Sequence, residues 1–247
     1  MALVERFLWP PRPSEAVPFE AALSQYENQP SYVGQHKYND SRCLIWFREG
    51  TGEIQLWNRK KERGLLDYSP TPGILLGIKK LAEALGLKPG LWHALDGGIL
   101  HTRHKFPWAK DKLVVYDVLA RDGRTLLGTK RSDRHHWLLS AAMANLGSCP
   151  VMIPMPDDSG LLTGQWVEEG SVFVPQDFKH SEWALQWELI NKLNAPWISG
   201  TGSGEVSPIL EGLVIKDNSG TLEPMTKEAN NSAWMCRTRV RTGRHAF

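Results

Sequence analysis

The stretch QHKYNDSRCLIWFREGTGEIQLW, residues 35–57, is the part of the chain that most clearly indicates a fold. Its apolar run Cys43–Phe47 predicts a buried strand, and the alternation over Glu53–Trp57 predicts a strand with one exposed face. Arg48–Gly52, between them, is rich in turn residues. The stretch therefore predicts an antiparallel hairpin within a strand-rich segment, residues 31–59.

Outward from this hairpin, helices and strands mix without a regular βαβ alternation. Apolar spacing and breakers predict helices within Ser14–Tyr26, from Ile74 to about Gly86, from Ser132 or Asp133 to about Leu146, and over Ser181–Leu193. Further strands are predicted at Leu91–Leu100, Leu113–Leu119, Val151–Ile153, Ser171–Val174, Leu210–Lys216 and Trp234–Val240. This order predicts an α+β fold with largely antiparallel sheets. Residues 1–30 are interpreted as a lead-in and residues 31–247 as one domain.

Composition excludes several classes of protein. The 247 residues are 41% hydrophobic and 23% charged, with a net charge of +2, as in an ordinary globular domain. Cys43, Cys149 and Cys236 have neither a pairing pattern nor zinc-ligand spacing. No apolar run approaches the ~18 residues of a membrane span, and the Pro-interrupted N-terminus does not resemble a signal sequence. We expect a cytoplasmic protein without a membrane partner; the oligomeric state is left open.

The distribution of basic and aromatic residues favours an anionic partner. Residues 237–247 contain Arg237, Arg239, Arg241 and Arg244 without any acid, so this end is expected to face phosphates unless it is a disordered basic tail. The chain also has 11 tryptophans. Most are expected in packing, although the indole ring also suits the stacking of bases.

Six short segments carry the chemistry, beginning at Lys37. A lysine amine is protonated at neutral pH and becomes a nucleophile where neighbouring charge or desolvation lowers its pKa. In chain order the segments are KYNDSR (Lys37–Arg42), Asn58–Arg59, LDGGIL (Leu95–Leu100), LVVYDVL (Leu113–Leu119), EGLVIK (Glu211–Lys216) and WMCRTR (Trp234–Arg239). Together they resemble the motifs of the ATP-dependent DNA and RNA ligases and mRNA capping enzymes, and EGLVIK matches the EGxxxK motif in full.

This resemblance implies a nucleotidyltransferase (adenylation) domain of two largely antiparallel sheets with flanking helices. It implies an ATP-dependent polynucleotide ligase that forms lysyl-AMP, transfers AMP to a 5′-phosphate and seals it to a 3′-hydroxyl. The implied partner is nucleic acid, either a nicked duplex or RNA ends. No OB domain is expected in this chain, which favours an RNA ligase or a reduced, viral-type ligase over a full replicative DNA ligase.

The resemblance also implies roles for individual residues. Lys37 would be the nucleophile that attacks the ATP α-phosphate, and Glu211 would hold Mg²⁺ or Mn²⁺. Contacts to the nucleotide are expected from Arg42, Asp96, Tyr116, Lys216, Arg237 and Arg239, and contacts to nucleic acid from Arg59, Arg241 and Arg244. Without the resemblance, Glu211 and Lys216 read as a surface ion pair, Tyr116 as a half-buried strand aromatic, and Asp96 and Asp117 as turn or strand-end residues.

Three departures from the family pattern leave alternatives open. Asn39 and Asp40 stand where Asp and Gly are usual, and Gly98 stands where the family has a glutamate near the ribose and metal, so that Asp96 takes over its role or the role is lost. Arg237 and Arg239 replace lysines, which keeps the charge and changes its geometry. The alternatives are a non-catalytic nucleic-acid-binding protein on a decayed ligase scaffold and a capping-type guanylyltransferase.

Overall fold

The computed structural model describes residues 8–58, 60–61, 68–100, 111–146, 153–154, 161–162, 164–168, 171–198, 210–226 and 230–240. The helices are α1 (Phe19–Gln25), α2 (Pro72–Ala84), α3 (Arg131–Leu146) and α4 (His180–Ile198). The strands are β1 (Arg12–Ala16), β2 (Tyr32–Tyr38), β3 (Ser41–Arg48), β4 (Glu53–Asn58), β5 (Trp92–Leu100), β6 (Lys112–Arg121), β7 (Arg124–Thr125), β8 (Ile153–Pro154), β9 (Leu161–Leu162), β10 (Gly164–Glu168), β11 (Val172–Pro175), β12 (Leu210–Asp217) and β13 (Asn231–Arg239).

Two main sheets organise these strands. The large sheet has the order β10-β11-β6-β5-β3-β4, with β7 beside β6, and only its β11–β6 pair is parallel within the described residues. The small sheet has the order β1-β13-β12-β2, with β1 parallel to β13 and the other pairs antiparallel. Strands β8 and β9 form a separate antiparallel pair. The predicted α+β class with two largely antiparallel sheets is therefore confirmed.

Apolar side chains bury both faces of the large sheet. On β3, Ile45 packs in a cluster with residues of α2 and α3, while Leu44 and Trp46 pack in a different cluster on the other face. Alternate strand residues point to opposite faces, so burial of both explains the continuous apolar run of β3. The predicted β3–β4 hairpin is confirmed by its antiparallel register.

The strand β2 is fixed to α4 through Gly34 and Trp183. A Cβ atom on Gly34 would lie 2.9 Å from Nε1 of the Trp183 indole, so no side chain fits there. Gly34 and Phe178 exchange backbone hydrogen bonds of 2.9 and 2.8 Å, and Trp183 Nε1 donates to Phe178 O at 3.0 Å. These contacts hold the strand that carries Lys37 against the helix layer.

The N-terminal helix begins later than predicted. The helix expected from Ser14 begins at Phe19, and Arg12–Ala16 is instead the strand β1 beside β13. Pro18 lies between them with φ of −57° and ψ of 147°, and a proline disfavours helical backbone at the residue before it. The helix therefore cannot extend back through Val17. The domain boundary at residue 30 stays a prediction, and residues 151–152 of the predicted strand Val151–Ile153 lie outside the described residues.

A buried ion pair joins α3 to the large sheet. Arg134 is fully buried, and its Nε and Nη2 atoms lie 2.8 and 2.9 Å from the two carboxylate oxygens of Asp117 on β6. Arg134 also donates to the carbonyl of Thr129. Asp117, which the sequence alone left as a strand-end or turn residue, is therefore part of a bidentate structural pair.

Removing Arg134 should strongly destabilise the fold. Arg134→Met leaves the Asp117 carboxylate buried without its partner, so we expect the free energy of unfolding to fall by about 3–5 kcal/mol. The matched control is Arg124→Met, because Arg124 is exposed on β7 and its loss should change the free energy by less than about 0.5 kcal/mol. Urea unfolding measures both variants, and equal free energies for the two would contradict the assignment.

Candidate functional site

Three adjacent strands of the small sheet bring Lys37, Glu211 and Arg239 together. Lys37 on β2 is paired with Gly212 on β12, and Gly212 is paired with Arg239 on β13. The Lys37 Nζ donates a hydrogen bond to Glu211 Oε2, and Arg239 Nη2 lies 3.4 Å from the same oxygen. The Lys37 and Glu211 side chains are each 19% exposed, so the pair remains open to a ligand.

Gly212 makes this arrangement possible. The pairing of β12 with β2 shifts register between Leu210 and Gly212, next to Glu211. Gly212 has a φ of 150°, and a Cβ atom on it would overlap the Thr238 carbonyl oxygen and lie 2.9 Å from Arg239 Cα. Only glycine allows this close approach of two backbones. The close approach of the two strands therefore requires glycine at the second position of EGLVIK.

One face of the small sheet carries four cationic side chains. Directly opposed residues in antiparallel strands project to the same face. By register, Gly212 lies opposite Lys37 on one side and Arg239 on the other, and Val214 lies opposite Arg237. Lys216, four residues along β12 from Gly212, lies on the same face.

Two of these cations have unused hydrogen-bonding capacity. Within the described residues, the Nε atoms of Arg237 and Arg239 are buried and have no hydrogen-bond partner. The pKa of Arg237 is lowered by burial and then by the positive charges of Arg239 and Arg12. A bound anion would supply hydrogen-bond acceptors and relieve this repulsion, so the face suits phosphate groups.

Lys216 lies deeper than the other cations. Its Nζ donates to Gln35 Oε1 at 2.5 Å and lies 5.9 Å from the centre of the Tyr116 ring. Burial, followed by the charge of Arg131, lowers the pKa of Lys216 from 10.5 to about 7. The amine is therefore only partly protonated at neutral pH, and it is close to the aromatic residue that the motifs indicate.

The large sheet contributes Tyr116, Arg42 and Asp96 to the same region. Arg42 Nε donates to Asp96 Oδ1 at 2.6 Å, its Nη2 contacts Asp96 Oδ2, and the same Nη2 donates to the Pro11 carbonyl at 2.8 Å. Burial raises the pKa of Asp96 to about 6, against the opposing effect of Arg42. Asp96, the acid considered as a replacement at Gly98, is thus engaged in holding Arg42.

Tyr116 contacts Asp40, an acid that the sequence alone identified only as a departure from the family motif. Its hydroxyl donates to Asp40 Oδ2, and Asp40 lies in the turn between β2 and β3. Burial raises the pKa of Asp40, while the Tyr116 hydrogen bond and the charges of Lys37 and Arg42 lower it. Asp40 is therefore a member of the residue cluster around Lys37.

A buried polar network beneath the site was also missed. Arg131 Nη2 lies 2.5 Å from Asp177 Oδ1, and Gln35 Nε2 lies 2.9 Å from the same oxygen. Gln35, two residues before Lys37, could have been placed on the same strand face from the period of two. Arg131 and Asp177 are 46 residues apart and carry no local signal. The predicted nucleic-acid contacts Arg59, Arg241 and Arg244 lie outside the described residues and stay predictions.

Beside Lys37, the carboxylate of Glu211 is the candidate ligand for a divalent metal. Within the described residues there is no group of three or more His, Cys, Asp or Glu side chains that could hold a metal ion. Mg²⁺ usually keeps several waters and takes one or two carboxylates together with substrate phosphates. Glu211, the acid beside the amine, fits the role of such a single protein ligand.

Comparisons with known proteins give a likeness at the level of structure. The sequence matches no model of a protein family and no curated protein. The structure is similar to a mycobacterial DNA ligase D complexed with ATP and MES, at 18% identity and a TM-score of 0.48 over 84% of this chain and 54% of the other. It is also similar to the ligase domain of LigD from M. tuberculosis, at 17% identity and a TM-score of 0.49 over 84% of this chain and 53% of the other.

The chain spans about half the length of these solved proteins. Among the described residues, no helix is long and apolar enough to cross a membrane.

The pKa of Lys216 predicts a specific dependence of stability on pH. The unfolded chain keeps this proton up to about pH 10, whereas the folded chain releases it near pH 7. Between these values the unfolded state binds more protons, so this residue makes the free energy of unfolding rise with pH. Below about pH 7 both states are protonated and the cost of burying the charge is fully present.

Lys216→Met should remove that rise. We expect the free energy of unfolding of the wild-type protein, relative to Lys216→Met, to increase from about pH 6 to about pH 9. Lys192→Met is the control, because Lys192 is 62% exposed on α4 and should leave the pH dependence of the wild type unchanged. Urea unfolding at the two pH values tests this, and parallel pH profiles for wild type and Lys216→Met would show that the buried amine does not titrate as stated.

Proposed function

We propose that this protein is an ATP-dependent polynucleotide ligase in which Lys37 becomes adenylylated. The observation that carries the proposal is the contact of Lys37 with Glu211, flanked by Arg239, on a sheet face that also carries Arg237 and Lys216. A reachable amine among cations suits attack on a phosphate, because the cations stabilise the charge that develops there. The ordered motifs from Lys37 to Arg239 support the same class of chemistry.

In the first step the neutral amine of Lys37 attacks the α-phosphorus of ATP. The N–P bond forms as the bond from the α-phosphorus to the bridging oxygen breaks, and pyrophosphate leaves with that electron pair. The ammonium form first loses one proton to solvent, and a second proton leaves the nitrogen as the bond forms. Solvent takes the second proton as well, because Glu211, which contacts the amine, is the residue proposed to hold the metal.

The surrounding residues stabilise and orient the nucleotide. Arg237 and Arg239 would donate hydrogen bonds to the phosphates through groups that include their buried Nε atoms. Tyr116 would pack near the adenine, and Lys216, 5.9 Å from the Tyr116 ring, would add positive charge to the phosphate region. Mg²⁺ or Mn²⁺ held by Glu211 and the triphosphate would offset the charge of the attacked phosphate.

Two further transfers would complete ligation. An oxygen of a 5′-phosphate attacks the phosphorus of lysyl-AMP, the N–P bond breaks and the Lys37 amine is restored with a proton. A 3′-hydroxyl then attacks the 5′-phosphate, loses its proton and releases AMP. Arg59, Arg241 and Arg244 are the residues that we propose to contact the nucleic acid, and Arg42 to contact the ribose or the acceptor phosphate.

Labelling with ATP that carries ³²P at the α-phosphate tests the covalent step. Wild-type protein with Mg²⁺ or Mn²⁺ should retain label in a denaturing gel, and Lys37→Ala should reduce the label to background because the nucleophile is gone. Lys79→Ala is the matched control, since Lys79 is an exposed lysine of α2 that lies 4.0 Å from Glu83. It should keep the wild-type label.

The other outcomes distinguish the alternatives. Label from GTP in place of ATP would indicate a capping-type guanylyltransferase. Absence of label from either nucleotide, together with salt-sensitive binding to RNA or nicked DNA, would indicate a non-catalytic nucleic-acid-binding protein. Label that persists in Lys37→Ala would assign the nucleophile to another residue.

A further inference from the structure

The side chain of Asp40 occupies the space that a side chain at residue 98 would need. Gly98 on β5 lies opposite Arg42 on β3, and Asp40 lies in the turn that leads into β3. A Cβ atom built on Gly98 would overlap the carboxylate carbon and Oδ2 of Asp40. The Tyr116 hydroxyl donates to that same Oδ2, so the carboxylate is held and cannot simply turn away. Residue 98 therefore can carry a side chain only if residue 40 does not.

These are also two of the positions at which the chain departs from the motifs that it resembles. Residue 40 carries an acid where those motifs have glycine, and residue 98 carries glycine where they have an acid. The numbers of acids and glycines are unchanged, and the two substitutions meet at one point in space. A single exchange of positions accounts for both departures, whereas loss of function accounts for neither the gained carboxylate nor its location.

The carboxylate of Asp40 lies within the site. The pKa of Asp40 is raised by burial, against the opposing effects of the Tyr116 hydrogen bond and the charges of Lys37 and Arg42, so the group interacts with the residues on both sides of it. An ionised carboxylate accepts hydrogen bonds through two oxygens and about four lone pairs. The Tyr116 hydroxyl occupies part of this capacity at Oδ2. Further donors from a ligand can therefore be accommodated.

We propose that Asp40 and Gly98 are an exchanged pair, in which Asp40 supplies from the β2–β3 turn the acid of the nucleotide site and accepts a hydrogen bond from a ribose hydroxyl. The inference rests on the proposed function, because it takes the ligand of this site to be ATP. A ribose presents two neighbouring O–H donors, which match a carboxylate that lies beside Arg42 and Tyr116. Asp96 does not fill the role, because it is engaged with Arg42.

Calorimetric titration with ATP tests the exchange without requiring the covalent step. Asp40→Asn and Asp40→Gly should weaken binding by roughly 10- to 100-fold, the effect of losing a charge-assisted hydrogen bond. Gly98→Glu alone should also bind poorly, because its side chain would overlap Asp40. The double variant Asp40→Gly with Gly98→Glu should recover binding to within about tenfold of wild type. Asp133→Asn, at an exposed acid of α3, is the control and should bind as wild type does.

A nucleotide that lacks the ribose hydroxyls tests the proposed contact with the ribose. Wild-type protein should bind 2′,3′-dideoxy-ATP more weakly than ATP, and Asp40→Asn should weaken binding of the dideoxy analogue no further. An equal loss for both nucleotides would overturn the ribose contact and indicate that the carboxylate serves the metal. Binding of ATP by Asp40→Asn at wild-type affinity would overturn the inference as a whole, as would a double variant no better than the single variants.

Stability distinguishes a misfolded variant from a failed inference. Gly98→Ala should lower the thermal midpoint in the wild-type background and leave it nearly unchanged in the Asp40→Gly background, because the space is then free. Equal effects in both backgrounds would contradict the steric exchange. Wild-type protein that binds ATP but is not labelled at Lys37 would refute the covalent step and leave the exchange standing. Asp40→Asn that binds ATP at wild-type affinity and is still labelled at Lys37 would refute the exchange and leave the covalent step standing. Wild-type protein that does not bind ATP would refute both.

Discussion

The site depends on the register of β12 against β2, because that register places Glu211 at the amine of Lys37. A slip of one residue in a strand moves every side chain to the opposite face, so the contact would be lost completely. Two features hold the register. The apolar face of β12, with Leu213 and Ile215, is buried in a core cluster that includes Trp183 and Ile190 of α4. At the shift itself, Asn194 Nδ2 donates to the Leu210 carbonyl at 2.8 Å, and the Val240 amide donates to the Glu211 carbonyl at 2.9 Å.

The same register places several positive charges on the opposite face of the small sheet, and the protein reduces the electrostatic repulsion among them. Lys216 is buried and has a pKa of about 7, so it is partly neutral near physiological pH and repels its neighbours less than a full cation would. Arg239 shares Glu211 with Lys37, whereas the Nε atom of Arg237 is buried without a hydrogen-bond partner among the described residues. An anionic ligand bound to this face would therefore stabilise the folded protein.

Local pattern predicted those parts of the fold whose causes are local. The alternation and apolar runs of β3, β4 and β12, and the helical spacing of apolar residues in α2, follow from neighbouring residues. The helix α1 begins at Phe19 and not at Ser14, because Pro18 disfavours helical backbone at the residue before it. The pairs Arg134–Asp117 and Arg131–Asp177 could not be predicted, since each joins residues that only the tertiary fold brings into contact. The motif order predicted which residues gather around Lys37, while their burial and hydrogen bonds required the structure.

The contact between Asp40 and Gly98 changes what the departures from the motifs mean. Along the sequence they are two separate departures from the motifs, and they favour the hypothesis of a decayed, non-catalytic scaffold. In space they meet, because the side chain of Asp40 occupies the volume that a side chain at residue 98 would need. Random decay would not be expected to return an acid to that place and pair it with Tyr116. Of these departures only Asn39 is then left as a motive for the non-catalytic hypothesis, and Lys37, two residues before it, contacts Glu211, which also pairs with Arg239.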